Sequence, residues 1–146
     1  MVLIIWSCDP GMVYDHFEKV DGQGWSWADK KRFEVLMEDS VNSYNVYANI
    51  RHTKDFPTSN LYLFITITGP NNSELRDTVE LQIAKPNGKW LGSGFGNVKF
   101  VRKRFKTDVR FAHTGRYVFG VEQGMRIESI PVTDVGIRIE KYKSIK

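Results

Sequence analysis

Apolar and polar residues alternate along most of this chain, and this period of two constrains the fold more than any other feature. Residues 61–68 carry leucine or isoleucine at every odd position, and residues 44–51 and 135–140 repeat the pattern. Successive side chains of a β-strand point to opposite faces, so each stretch predicts a strand with one core-facing side. No stretch sustains the helical period. The sequence therefore predicts an all-β protein.

Turn residues separate the predicted strands. The strongest turn, Gly69-Pro70-Asn71-Asn72, lies between residues 61–68 and 78–83 and predicts a hairpin. Strand 61–68 is apolar on both faces, so we expect it to be central and covered on both sides. About seven to eight short strands without a helix favour two packed sheets. We predict a single antiparallel β-sandwich with an N-terminal tether.

The single cysteine of the chain, Cys8, follows an apolar run and the small residue Ser7. A lipoprotein signal peptidase recognises such a pattern and leaves a lipidated N-terminal cysteine. The alternative is that residues 2–6 form a first strand and that Cys8 is a small buried hydrophobe. On the first interpretation the chain has three parts: a truncated lipoprotein signal over residues 1–8, a tether over 9–24 and a β-sandwich domain over 25–146.

The net charge of +4 arises from basic residues that gather in residues 99–110 and 141–146. Basic patches attract nucleic acid, anionic lipid or acidic glycan. The segment directly after Cys8 is instead acidic over residues 9–21, unlike a polybasic lipid-binding segment. The sequence therefore predicts no electrostatic second anchor. An exported protein seldom meets nucleic acid, so we predict no nucleic-acid partner.

The residues that usually carry catalysis or metal binding show no recognisable pattern. His16, His52 and His113 lie far apart, without other ligands at metal-binding spacing. The glycine-rich residues 92–96 lack the spacing of a nucleotide-binding loop, and Ser93 lacks the residue order of a nucleophile elbow. We predict no metal site, no cofactor and no enzymatic activity.

Five residues are candidates for contact with a partner or a glycan. Trp25 and Trp27 are predicted to share one strand face, and Trp90 opens the glycine-rich loop, so each tryptophan is able to stack on a sugar or to pack in the core. Arg51 and Arg138 lie on the polar faces of their strands. They are expected either to pair with carboxylates across the sheet or to contact a protein partner, since arginine is enriched at interfaces.

Several longer strings are more specific than a generic β-sandwich requires. They comprise Ser7-Cys8-Asp9, Asp55 to Leu61, Gly69-Pro70-Asn71, Asp77-Thr78, Leu91-Gly92, Val109-Arg110-Phe111 and Thr133 to Glu140. In order and spacing they resemble the gliding motility-associated lipoprotein GldH family over nearly the whole chain.

This resemblance implies a non-enzymatic lipoprotein that supports gliding motility and the linked type IX secretion machinery. The family's lipidated cysteine corresponds to Cys8, which would anchor the protein in the cell envelope, with the outer membrane expected. Other motility or secretion lipoproteins are the implied partners, and the oligomeric state stays open. An alternative from a different class is a glycan-binding β-sandwich module of the envelope, which would use Trp25, Trp27 or Trp90.

Overall fold

A computed structural model describes residues 11–94 and 96–143, which form strands joined by turns and loops without a helix. The strands are β1 (Met12–Lys19), β2 (Trp25–Ser26), β3 (Lys31–Met37), β4 (Ser43–Thr53), β5 (Asn60–Thr68), β6 (Glu74–Gln82), β7 (Val98–Arg110), β8 (Gly115–Gln123), β9 (Ser129–Ile130) and β10 (Val132–Lys141).

Two four-stranded antiparallel sheets form the body of the molecule. The first sheet has the order β1-β10-β4-β7 and the second the order β3-β8-β5-β6, while β2 and β9 form a short separate pair. Edge strand β1 contacts β3 across the sandwich, and edge strand β7 contacts β6. The predicted antiparallel β-sandwich is confirmed. Ten strands replace the predicted seven or eight, because β1 and the short β2 and β9 join the pattern.

The alternating apolar positions face inward and form one core between the sheets. On β4, Tyr44, Val46, Ala48 and Ile50 are all buried, as the period of two predicts. Full burial of a valine, leucine, isoleucine or phenylalanine side chain contributes about 1.5 to 3 kcal/mol. The other large, fully buried side chains include Trp25, Phe33, Leu61, Leu63, Ile65, Leu81, Ile83, Phe119, Ile130 and Ile137. The core therefore runs the length of the sandwich.

Strand β5 is central, as predicted, because it lies between β8 and β6. The expectation that both of its faces are covered is wrong. Leu61, Leu63 and Ile65 are fully buried, whereas Tyr62 on the opposite face is 37% exposed and Phe64 is partly exposed. The aromatic side chains of Tyr62 and Phe64 therefore contact solvent on the outer face of the second sheet.

The predicted tether over residues 9–24 needs correction, because most of it belongs to the sandwich. Met12–Lys19 forms β1 and pairs with β10 along its length, so that Phe17 lies opposite Gly136. The acidic residues of this segment obscure its period-two pattern, and an edge strand tolerates charge. The predicted signal over residues 1–8 and the lipidation site Cys8 lie outside the described residues.

Candidate functional site

Aromatic rings and guanidinium groups meet on the outer face of the first sheet. This guanidinium–aromatic cluster consists of Phe17 on β1, Arg51 on β4, and Phe100 and Arg102 on β7. The carbon Cζ of Arg51 lies 4.0 Å from the Phe17 ring centroid. The Phe17 and Phe100 centroids are 6.2 Å apart, and Cζ of Arg102 lies 5.3 Å from the Phe100 centroid. Such cation–π contacts orient a guanidinium while leaving hydrogen-bond donors for other groups.

Strand register explains why these side chains meet. Arg51 pairs with Phe100 on one side and with Asp134 on the other. Alternate residues of β4 fill the core, so Arg51 points to the outer face. The Phe17 ring covers the neighbouring backbone of Gly136, where a Cβ atom would lie 2.9 Å from the ring and 2.9 Å from the His16 carbonyl oxygen. Glycine therefore permits the close approach of β1 that places Phe17 beneath Arg51.

The two predicted arginine contacts have different environments. Arg138 forms ion pairs with Asp15 at 2.9 Å and with Glu140 at 3.2 Å, and its side chain is only 12% exposed. Arg51 lies 3.8 Å from Asp134 and is 41% exposed. Arg138 therefore joins strands within the sheet, whereas Arg51 presents its guanidinium to solvent.

Beneath Arg102, Asn49 is fully buried on the same outer face. Its Oδ1 accepts a hydrogen bond of 2.8 Å from Nε of Arg102, while its Nδ2 has no partner among the described residues. Nearby, Tyr47 donates a 2.6 Å hydrogen bond to Glu140. Burial, together with this bond to a carboxylate, raises the pKa of Tyr47 above its ordinary value. The cluster is therefore next to polar side chains, Asn49 and Tyr47, whose positions are fixed by hydrogen bonds.

The three candidate tryptophans lie in three different environments. Trp25 is completely buried and donates a 2.7 Å hydrogen bond from Nε1 to the Asp29 carbonyl oxygen. Strand β2 ends at Ser26, and Trp27 is 51% exposed. The prediction that Trp25 and Trp27 share a face is therefore wrong. Trp90 is partly buried against the core.

Trp27 is the candidate tryptophan whose ring is open to a ligand. It lines a shallow depression on the outer side of the second sheet together with Phe64, Arg76, Glu122 and Met125. Arg76 stacks 4.8 Å from the Phe64 centroid and lies 3.5 Å from Glu122. An exposed indole beside a paired arginine and carboxylate offers both a stacking surface and hydrogen-bonding groups.

His52 is buried between the sheets with Phe56 and Trp90 against it, each at a ring-centroid distance of 5.3 Å. Its Nδ1 lies 2.8 Å from the Thr53 carbonyl oxygen, which only accepts, so Nδ1 carries the hydrogen. Nε2 has no partner among the described residues. Burial is the main cause that lowers the pKa of His52. A neutral imidazole enclosed by aromatic rings is a core residue here.

An apolar cleft of about 470 Å³ opens between β6 and β7. Two register shifts interrupt the pairing of β7 with β4, and Asp108 has a φ of 55°. The Asp108 backbone N–H donates to Oδ1 of Asn45 at 3.1 Å. Such bulges bend a strand away from its partner, and the bend leaves Leu75 half exposed in the cleft wall. An ion pair joins the edge strands β7 and β6, with Nζ of Lys106 2.7 Å from Oδ2 of Asp77.

Among the described residues, no three His, Cys, Asp or Glu side chains are close enough to hold a metal ion. The described ranges also contain no helix that is long and apolar enough to cross a membrane. The groups that these surfaces expose are suited to stacking, ion pairing and apolar contact.

The sequence identified Arg51 in this cluster but not Phe17, Phe100 or Arg102. Phe17 falls in the segment that is predicted to be a tether, and the sequence marks Arg102 only as one of the basic residues gathered in 99–110. The outward positions of alternating aromatic and basic residues on β7 were the available signal.

Comparisons with known proteins give a consistent result. The profile of the GldH lipoprotein family matches residues 12–139. The chain is 37% identical to a protein named gliding motility lipoprotein GldH homolog from Christiangramia forsetii, over 96% of this chain and 90% of that protein. It is 33% identical to gliding motility lipoprotein GldH from Flavobacterium johnsoniae, over 95% of this chain and 91% of that protein.

A solved structure, the infectious bursal disease virus VP2 subviral particle, superposes with a TM-score of 0.31 at 13% identity. The alignment covers 92% of this chain and 34% of the viral chain. We draw nothing from this weak likeness.

Proposed function

Because the chain belongs to the GldH lipoprotein family, we propose that it supports gliding motility as a lipid-anchored protein that binds other envelope components without catalysis. In this proposal the lipid is attached at Cys8 and holds the sandwich at the outer membrane. The partners are other lipoproteins of the motility machinery and of the linked type IX secretion machinery.

The guanidinium–aromatic cluster is the observation that carries the binding role. Arginine and aromatic residues are enriched among the residues that dominate protein interfaces. Arg51 combines an exposed guanidinium with a ring at 4.0 Å, so its position is set before a partner arrives. A preorganised side chain loses less conformational entropy on binding. The cluster therefore suits a protein surface that presents carboxylates and apolar groups.

Crosslinking in intact gliding cells tests this role, with the full-length lipidated protein captured and its partners identified by mass spectrometry. We expect Arg51→Ala to reduce the recovery of motility lipoproteins several-fold. The matched control is Arg76→Ala, because Arg76 also stacks on a phenylalanine and pairs with a carboxylate, but on the second sheet. Equal recovery from both variants would contradict the assignment of this face.

The anchor is tested separately by Cys8→Ala in the full-length protein. Without a thiol there is no acylation, so we expect the protein to leave the membrane fraction and gliding colonies to spread less. Retention of the variant in membranes, with normal spreading, would contradict the lipid anchor at this residue.

A glycan-binding function is the second candidate, and the depression around Trp27 is the observation that favours it. Stacking of a sugar on Trp27 would change its fluorescence. We expect envelope polysaccharide fragments to alter the emission of the wild type but not that of Trp27→Phe, if this function is correct. Trp25 and Trp90 are packed within the protein and serve as an internal reference. An unchanged wild-type spectrum would remove this candidate.

A further inference from the structure

Three cations from two distant parts of the sequence meet at one corner of the first sheet. This basic corner consists of Arg104 on β7, Lys141 at the end of β10, and Lys143. They line a polar depression of about 300 Å³ together with Gly11, Asn45, Tyr47 and Glu140. All three cationic residues are exposed.

Strand pairing brings these residues to the start of the described chain. Arg104 and Arg138 flank Tyr47 in the register of β7, β4 and β10. The Lys141 backbone N–H donates a 2.7 Å hydrogen bond to the Gly11 carbonyl oxygen. The basic run of β7 and the basic C-terminal segment therefore share one corner with Gly11, although about 40 residues separate them in sequence.

Among the described residues, the corner keeps a net positive charge. In the part of the chain that the structure describes, none of the three cations forms an ion pair. Glu140 lines the same depression and shares Arg138 with Asp15, so these two carboxylates and one guanidinium offset only part of the charge of the three exposed cations. Arg104, Lys141 and Lys143 therefore remain available to an anionic partner.

The location of the corner points to the membrane as that partner. Gly11 follows Cys8 by three residues, and three extended residues span at most about 11 Å. This reach is close to the Debye length of about 8 to 10 Å at physiological ionic strength. A lipid on Cys8 would therefore hold the corner within electrostatic range of the headgroups. This step rests on the lipid anchor of the proposed function.

We propose that the basic corner binds anionic lipid headgroups of the membrane that holds the Cys8 acyl chains. Part of the acidic segment after Cys8 is paired within the fold, because Asp15 forms an ion pair with Arg138. The corner supplies a second, electrostatic anchor and orients the sandwich. Arg51 stays accessible to a protein partner, since it lies four residues, or about 13 Å, farther along β4 than Tyr47. Arg102 is closer to the corner, with Cζ 5.7 Å from the Tyr47 ring centroid.

Vesicle binding by the whole chain carrying Cys8→Ser isolates the electrostatic contact from acylation. The test variant combines Arg104→Gln, Lys141→Gln and Lys143→Gln. The matched control combines Lys54→Gln, Lys85→Gln and Lys89→Gln, three exposed lysines at the opposite end of the sandwich. Both variants lose the same net charge. The vesicles contain phosphatidylethanolamine with phosphatidylglycerol, or phosphatidylcholine alone.

We expect the chain to bind the anionic vesicles at low salt and to leave them at high salt. The corner variant should bind roughly a hundred-fold more weakly, because it loses the attraction of three basic side chains to the anionic surface. The control variant should bind with nearly the affinity of the unmodified chain. Equal binding by the two variants, or binding that ignores salt and lipid charge, would overturn the proposal. Loss of a crosslinked protein partner with unchanged vesicle binding would instead assign the corner to a protein.

These outcomes are distinct from those of the anchor test. Vesicle binding is measured without acylation, so a negative result contradicts the basic corner and leaves Cys8 lipidation untouched. If Cys8→Ala stays in cell membranes, that result contradicts the lipid anchor, and binding of the corner to anionic vesicles is still measured separately.

Discussion

At the residue scale, Gly136 controls how closely β1 approaches β10. A Cβ at this position would lie 2.9 Å from both the His16 carbonyl oxygen and the Phe17 ring. We expect Gly136→Ala to lower the free energy of unfolding by about 1 to 3 kcal/mol, because backbone of β1 must move. Chemical denaturation measures this. Gly22→Ala is the control, since among the described residues no heavy atom beyond its chain neighbours lies within 4 Å of its Cβ position, and equal losses would refute the explanation.

His52 gives the stability a dependence on pH. Burial lowers its pKa in the folded state, so below about pH 6.5 the unfolded chain binds a proton that the folded chain resists. The free energy of unfolding should fall with decreasing pH in that window, by at most about 1.4 kcal/mol per pH unit. Denaturation at several pH values should show that His52→Gln removes this slope. The exposed His113→Gln should retain it, and a slope unaffected by His52→Gln would contradict the assignment.

At the element scale, β1 is a structural strand that carries part of the proposed partner surface. Its pairing with β10 places Tyr14 against the core and Phe17 beneath Arg51. We expect a chain that starts at Val20 to lose about 2 to 4 kcal/mol of stability relative to one that starts at Gly11, from lost apolar burial and an unpaired β10 edge. Thermal unfolding compares the two. Equal melting temperatures would support the original prediction of a tether.

At the scale of the whole molecule, the first sheet is complete only when β1 and β10, from the two ends of the described chain, pair with each other. Strand β10 lies between β1 and β4, and such non-local pairing is associated with folding in milliseconds to seconds. We expect a single cooperative unfolding transition. Tryptophan fluorescence, which includes buried Trp25 on β2, should coincide with far-ultraviolet circular dichroism. Separate transitions would show that the β2–β9 end unfolds independently.

The strengths and errors of the sequence predictions follow from how local each signal is. Strand β5 and its inward residues were predicted correctly because alternation lies within one segment. Trp25 and Trp27 were misassigned because β2 ends at Ser26, and no periodic signal marks the end of a two-residue strand. The tether prediction failed because charged residues interrupt the alternation of residues 12–19, whose strand is defined by its pairing with the distant β10.

The amino-acid sequence by itself determined the all-β class, the inward faces of the strands and the family. These depend on local alternation and on short strings of residues. Only the tertiary structure decided which strands far apart in the chain are neighbours, and therefore that Phe17 lies beneath Arg51 and that Arg104 shares a corner with Lys141. These contacts depend on pairing between segments far apart in the chain. Packing of the complete core selects that pairing, and no single segment encodes it.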